Sequence, residues 1–369
     1  PRLEQRRGDR SLLIPVARFL GAVALAALAA AGSLHSWSPA HRPTSESGRQ
    51  RFEAVEPHMG TLVRITVYAH SAETAREAFG AAFARIRHLD DILSDYRPSS
   101  ELNRLAAAES GREVPVSGDL FTVLAASQEL AEASGGAFDI TQGPVIRLWR
   151  DAARTRQLPD SVAQQNAAAR TGFRKLHLDP ARRTAKLDMS GMALDVGGIG
   201  KGYAADQALA VLDGLRIRSA LVAVSGDLAF SDAPPGRKGW RIRIYNSASL
   251  ASGLPQTVEL TNAAVSTAGS SEQHADIGGR RYSHIVDPSS RSGLVEDLTV
   301  TVIARRGLEA DGLDTAVSVL GVERGLALVE SRPGAAALIV RRAGDRDEIV
   351  ASSRMRSLGS HAGAPDPIH

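Results

Sequence analysis

Apolar and polar positions alternate through LVRITVYA, residues 62–69, a period of two that predicts a strand. The pattern then changes. SAETAREAFGAAFARIRHLDDIL (71–93) repeats its apolar positions at helical spacing behind a serine, which predicts a helix. A short turn, SDYRPSS, leads into a second helix start at SSELNRL. GDLFTVLAASQELAEASGG (118–136) is a third helix, ended by Gly135 and Gly136. Residues 150–172 are polar and alanine-rich and predict a surface excursion.

From Lys175 onward the chain reads as short strands divided by turn residues: TAKLDM, ALDVGG, ALVAVSGDLAF, WRIRIYN, QTVELTNAAVSTAG and RYSHIVDP. Helices at 202–216 and 309–331 interrupt them, and AAALIVRR (335–342) is a further strand. The tail from Ser352 is rich in Ser, Gly, Pro and His and is expected to be disordered. Strands and helices intersperse without regular strand–helix–strand alternation. The expected class is therefore α+β, with mixed or antiparallel sheets packed against helices and no Rossmann fold. The folded domain is expected over 52–351, behind a polar linker at 35–51.

Composition changes this picture at the N-terminus. The net charge is +3, and residues 1–18, with five arginines against Glu4 and Asp9, account for all of it. A formally neutral body argues against nucleic-acid binding, which draws on a basic face. The few aromatics, 4% of the chain, argue against stacking platforms for single strands. After the basic arm comes FLGAVALAALAAAGSL (19–34), uncharged and ending in small residues, the order of a secretory signal. Export to the periplasm or another extracytoplasmic space is expected. Residues 1–34 are then either cleaved or kept as an inner-membrane anchor, since 16 uncharged residues are slightly short for a span. The chain has no cysteine, which excludes disulfides, thiolate catalysis, cysteine metal sites and a lipid anchor through Cys.

Four stretches carry candidate chemistry. In LDVGGIGKGYAADQAL (194–209), glycines at 197, 198, 200 and 202 surround Lys201 where a strand is expected to end at Asp195 and a helix to begin. Glycines tolerate positive φ and close approach, a helix N-terminus offers N–H groups to phosphate, and Lys201 adds charge. The spacing matches neither the P-loop nor the dinucleotide fingerprint, and a tight turn with a surface lysine explains it equally well. In EADGLDTA (309–316), Asp311 and Thr315 lie four apart on one helical face, hard oxygen donors of the kind Mg²⁺ takes beside waters and phosphates. A helix start with Asp311 complementing the dipole is the plainer alternative. In RYSHIVDPSSR, His284 precedes an Asp-Pro turn and could act as a general base or be a hydrogen-bonded core histidine. GGAFDITQGPVIRLW (135–149) could line a flavin or adenine pocket, or simply cap a helix.

Taken together, MGTLVRITVYA, LSDYRPSSELNRL, GGAFDITQGPVIRLW, LDVGGIGKGYAADQAL, AVSTAGSSEQ, SHIVDP and EADGLDTAVSVLG resemble, in order from about Met59 to Gly321, the ApbE family of FAD:protein FMN transferases. The resemblance implies a T-fold-like architecture. It implies that Met59, Tyr96, Ala137, Phe138, Asp139, Asp195, Lys201 and Ile285 contact FAD. It further implies that Asp311 and Thr315, with the backbone carbonyl of Gly198, hold Mg²⁺, and that His284 is the base toward an acceptor hydroxyl. Lys201, Asp311 and His284 are the expected catalytic residues. The implied reaction moves the FMN half of FAD to a Thr or Ser of a protein, typically a membrane redox-complex subunit, and releases AMP.

The sequence departs from the family pattern in three places. Ala268 and Ser271 stand where Ser and Tyr are usual, Ser289, Ser290 and Arg291 follow Asp287–Pro288 where Thr-Gly is usual, and Ser225 replaces a common Gly. Three other readings use the same residues: a metal-dependent FAD pyrophosphatase passing FMN to water, a non-catalytic FAD carrier, and an oxidoreductase that retains its flavin.

Overall fold

The computed structural model describes residues 48–244, 254, 256–269, 274–343 and 346–359, with a two-residue strand β1 (Ile14–Pro15). The rest of the proposed targeting segment, most of the linker and residues 360–369 lie outside the described residues.

β2 (Gln50–His58) and β3 (Thr61–Ala69) form the first hairpin. Its two-residue turn holds Met59 at φ 51° and Gly60 at φ 71°, the left-handed pair that matches strand twist. α1 (Ala72–Leu93) begins where its sequence predicts, because the Ser71 hydroxyl accepts from the Thr74 N–H. Gly80, within α1, has nothing within 4 Å of where a Cβ would sit. Gly80→Ala is therefore expected to stabilise the fold by about 0.5–1 kcal/mol, read as a higher urea midpoint with an unchanged slope.

α2 (Glu101–Ala106) is capped by Ser100, and β4 (Val114–Pro115) leads to α3 (Gly118–Ala133). α3 stops before Gly135 and Gly136, both at positive φ, as expected. The predicted excursion at 150–172 is instead largely helical, in α4 (Gly143–Thr155) and α5 (Ser161–Ala169). Ala152 and Ala167 bury against Val145 and Trp149 there, so small side chains supply a helical contact that polarity concealed.

β5 (Leu176–Asp179) and β6 (Thr184–Leu187) join β4 in a small sheet. ALDVGG is not a strand. Only Ala193 bridges, to Gln142, and the chain then turns because the Asp195 carboxylate accepts from the Gly197 N–H at 2.9 Å. α6 (Gly200–Gly214) follows, then β7 (Ala220–Val224), β8 (Asp227–Phe230), β9 (Trp240–Arg243), β10 (Thr257–Leu260) and β11 (Ala263–Gly269). Two short hairpins come next: β12 (His274–Ile277) with β13 (Arg280–Ser283), and β14 (Val286–Asp287) with β15 (Ser292–Gly293). β16 (Leu298–Ala304), α7 (Gly307–Glu330), β17 (Ala336–Ala343), β18 (Arg346–Ala351) and α8 (Ser353–Gly359) complete the described chain. The helix predicted over 309–331 is interrupted at Gly321, where φ is 75° and ψ −173°. The disorder expected from Ser352 does not hold over Ser353–Gly359, which is helical and buries Met355 in a core cluster.

The main sheet has eight strands in the order β18-β17-β16-β11-β8-β7-β3-β2, and every neighbouring pair is antiparallel. This is the expected α+β class. The pleat divides its side chains between two cores. Val222, Val224, Ala229, Ala264 and Val302 face α1, α6 and α7, whereas Leu221, Phe230, Val265 and Leu338 face Trp240, Val258 and Met355. Alternation puts Asp227 on the same face as Ala229 and Ser266 on the same face as Ala264. The two polar residues thus point toward the helices.

Candidate active site

α6 and α7 cross at glycines. A Cβ on Gly202 would lie 2.0 Å from the carbonyl oxygen of Gly307, so only hydrogen fits. The two helices also exchange carboxylates. Asp206 of α6 accepts from the N–H groups of Gly307 (2.6 Å) and Leu308 (3.0 Å) at the start of α7. In return Asp311 of α7 accepts from the Gly202 N–H of α6 at 2.9 Å. The carboxylate that might have served its own helix dipole serves its neighbour's.

This crossing sets a buried ionic cluster. Lys201 Nζ lies 2.9 Å from Asp227 and 3.2 Å from Asp311, and donates to the Gly197 carbonyl at 3.0 Å. Asp311 and Asp314 are each 2% exposed and Asp227 4%. Burial and the Asp227 charge push Asp311 above the usual carboxylate range, with Lys201 and the Gly202 N–H pulling part of the way back. Burial and the Asp311 charge push Asp314 well above it. For Lys201, burial favours the neutral form, but Asp227 and Asp311 outweigh it and hold the ammonium protonated. Ser266 Oγ contacts both Asp227 and Asp314, the latter at 2.5 Å. One hydroxyl proton serves one carboxylate at a time, so Ser266 satisfies only one of the two. Asp227 and Asp311 also outnumber the single ammonium.

The cluster suits a divalent cation. A Cβ built on Gly198 would fall 2.8 Å from Thr315 Oγ1, so the Gly198 backbone and the Thr315 hydroxyl share one spot, one helical turn from Asp311. Carboxylate, hydroxyl and carbonyl are the hard oxygen donors Mg²⁺ takes. Among the described residues, no three His, Cys, Asp or Glu side chains are arranged to hold a metal alone. An ion here would complete its shell with waters or with oxygens of a bound ligand, as Mg²⁺ commonly does.

The cluster forms the floor of a cleft of about 1310 Å³. Every site residue expected from the sequence lines it. Lys201, Asp311, Thr315 and Gly198 lie with the ionic cluster, and Met59 reaches the cleft from its hairpin turn. Ala137, Phe138 and Asp139 come from the segment before α4, Tyr96 from the loop after α1, and Asp195 from the turn before α6. His284 and Ile285 arrive between β13 and β14, His284 exposed and Ile285 buried.

The segment before α4 is tightly fixed. Asp139 accepts from the N–H and hydroxyl of Thr141, at 2.8 and 2.6 Å, and from Gln142 Nε2 at 3.0 Å. Because Asp139 only accepts, Gln142 must present its amide nitrogen there, which leaves Oε1 turned away. That oxygen, on a residue 4% exposed in the cleft wall, has no protein partner. A bound group or water with a donor to spare would satisfy it.

The glycines around Lys201 serve a different purpose from the one expected. None of Gly197, Gly198, Gly200 or Gly202 has positive φ. Gly197 yields to Asp195, Gly198 to Thr315 and Gly202 to α7. The Gly202 N–H, a candidate phosphate donor by position, is taken by Asp311. Sequence reasoning missed Asp227, Asp314 and Ser266. Asp314 was legible as a third polar residue on the helix of Asp311, but Asp227 and Ser266 sit in ordinary strand patterns. Ser225, where the family pattern favours Gly, has φ 58°, and Arg291 in the Asp287–Arg291 turn has φ 60°. Both are left-handed positions that suit glycine. Ala268 lines the cleft and Ser271 lies outside the described residues.

An antiparallel α+β frame carries a large cleft lined by a lysine and a cluster of hard oxygen donors, a site suited to a divalent cation. The ApbE family model matches residues 59–339, and the chain belongs to the ApbE family. It is 31% identical over 288 residues to an FAD:protein FMN transferase of Klebsiella pneumoniae, covering 77% of this chain and 82% of the relative. The corresponding protein of Treponema pallidum is 32% identical over 311 residues, with 79% and 86% covered. Among solved structures, the apo flavinyl transferase ApbE of Pseudomonas stutzeri aligns with a TM-score of 0.73 at 32% identity, covering 84% of this chain and 97% of that one. The flavin transferase ApbE of Vibrio cholerae gives 0.75 at 27% identity, covering 84% and 99%.

Proposed function

We propose that this chain is a flavin transferase that binds FAD and Mg²⁺ in the cleft and moves FMN onto a Thr or Ser of an acceptor protein, with release of AMP. The observation that carries this reading is the Lys201–Asp311–Thr315–Gly198 group, Asp311 buried and the other three half-buried, in a cleft that Tyr96, Phe138 and His284 also line. Asp311, Thr315 and the Gly198 carbonyl would hold the metal, which when bound offsets charge on the pyrophosphate and eases attack at phosphorus. Lys201, kept cationic by Asp227 and Asp311, adds to that field. His284, exposed on the cleft wall, takes the proton of the acceptor hydroxyl as its oxygen bonds to the FMN-side phosphorus. The bond from that phosphorus to the AMP oxygen breaks, and AMP leaves with the electron pair. The conserved balance is one ester formed for one anhydride opened.

The deciding experiment incubates the chain with FAD, Mg²⁺ and a candidate acceptor domain, then reads the acceptor's intact mass and the released nucleotide. A gain equal to FMN with AMP released is expected. AMP and free FMN from every acceptor tried would leave the pyrophosphatase reading, and intact bound FAD would favour a carrier or an oxidoreductase. His284→Ala is expected to slow transfer by about 100-fold while changing FAD affinity little. Equal losses in both would mark a structural histidine. Export rests on residues 1–34 alone, and a membrane redox-complex subunit is the proposed acceptor. Periplasmic fractionation of the intact chain tests the first point.

A further inference from the structure

Arg150 of α4 is not among the site residues assigned above, yet it ties two of them, Tyr96 and Asp195, to Asp95. It donates to Asp95 and, at 2.7 Å, to Asp195 Oδ2, and its guanidinium carbon sits 4.6 Å from the centre of the Tyr96 ring. All four residues line the cleft. The side chains of Asp95 and Asp195 are 15% and 7% exposed, whereas Tyr96 is 73% exposed and belongs to none of the described hydrophobic clusters. The loop after α1 therefore owes the placement of its aromatic ring to polar contacts. Burial and the nearby Asp195 charge push the Asp95 carboxyl upward, and the guanidinium is the cation that opposes them. With both edges of its fork committed to these carboxylates, Arg150 is not placed as a phosphate ligand.

We propose that Arg150 is a positioning residue for the flavin nucleotide: it covers one face of Tyr96 and fixes the ring beside Asp195, so that the other face is presented to a planar ring system in the cleft. An aromatic ring held by a cation on one side has one face left for stacking, and a ring already oriented loses less freedom when the ligand arrives. The planar fork matters as much as the charge, because it reaches both carboxylates while its central carbon lies over the ring. This inference rests on the FAD-binding reading.

The test titrates the full chain with FAD in EDTA, so that no turnover consumes it, and follows flavin emission. Wild type, Arg150→Met, Arg150→Lys, Tyr96→Ala and Arg150→Met/Tyr96→Ala are compared. Arg150→Met is expected to weaken FAD binding about 10-fold and to alter the emission of bound flavin at saturation, with the rate at saturating FAD and Mg²⁺ changed less than about threefold. In the Tyr96→Ala background the same substitution should add less than about twofold. Arg150→Lys, which keeps the charge and loses the fork, should fall between wild type and Arg150→Met. Wild-type affinity and emission in Arg150→Met would overturn the proposal, as would an undiminished loss in the Tyr96→Ala background. Should Arg150→Met fail to fold, Arg150→Lys decides alone: wild-type affinity and emission there reject the positioning role. A wild-type chain that binds FAD neither in EDTA nor with Mg²⁺ present would instead remove the functional reading itself, a separate and recognisable result.

Discussion

Asp311→Asn is expected to lose FMN transfer by roughly 1000-fold, the scale on which removing a charged stabiliser of the transition state acts. The fold should not suffer with it. Asparagine keeps the shape and an oxygen that can accept from the Gly202 N–H, the bond Asp311 makes at 2.9 Å. It also removes one of three carboxylates buried around a single lysine, which relieves repulsion that pushes Asp311 and Asp314 upward. The melting temperature should therefore hold or rise while activity disappears, the pattern of a group kept for chemistry at a cost in stability. The two readings together are the measurement: transfer rate by acceptor mass and melting temperature by circular dichroism. Transfer within tenfold of wild type would show that Asp311 does not hold the metal. A large drop in melting temperature would show that Asp311 is chiefly structural.

Gly202→Ala should fail in the opposite way, through the fold. Its methyl would meet the Gly307 carbonyl oxygen at 2.0 Å and Asp311 Cβ at 2.8 Å, and the first of these is backbone that cannot swing aside. α6 and α7 must part, at an expected cost of about 3 kcal/mol. For a folded body of this size that corresponds to a fall of roughly 5 °C in melting temperature. The same movement separates Asp206 from the start of α7 and Asp311 from α6, so the Lys201–Asp311 distance of 3.2 Å should open and activity fall with it. Gly80→Ala is the control, since the same change in open space should stabilise. A Gly202→Ala chain with wild-type melting and transfer would mean that the helix crossing relaxes without consequence.

Much of this architecture was open to reading before any coordinates. Serines at 71 and 100 cap helices because their hydroxyls reach N–H groups three residues on, a purely local contact. The strand at 62–69 follows from alternation, and the strand residues within 220–230 from their apolar composition, in the same way. What failed locally failed for tertiary reasons. ALDVGG has strand-like residues, yet only Ala193 bridges, because Asp195 spends its backbone on Ile140 and its carboxylate on Gly197. The 150–172 stretch looks exposed by composition, but its alanines find a small core on α4 and α5 that no local pattern reports. Ser353–Gly359 looks like tail until Met355 meets the outer face of the sheet.

The candidate site divides along the same line. Residue types and spacing were enough to single out Lys201, His284 and the Asp311–Thr315 pair, because a helix puts positions four apart on one face and a Gly-rich turn before a helix is visible as text. Their order along the chain was enough to suggest the family. The sequence alone could not say why the glycines are there, or that Asp227, Asp314 and Ser266 join the cluster. Those depend on two helices crossing within hydrogen-atom distance, and on a pleat that turns two strand residues toward them. Contacts between residues a hundred positions apart leave no period in the sequence, so tertiary packing decided which carboxylates share the lysine. It also decided how strongly burial shifts them and brought Arg150 over the Tyr96 ring.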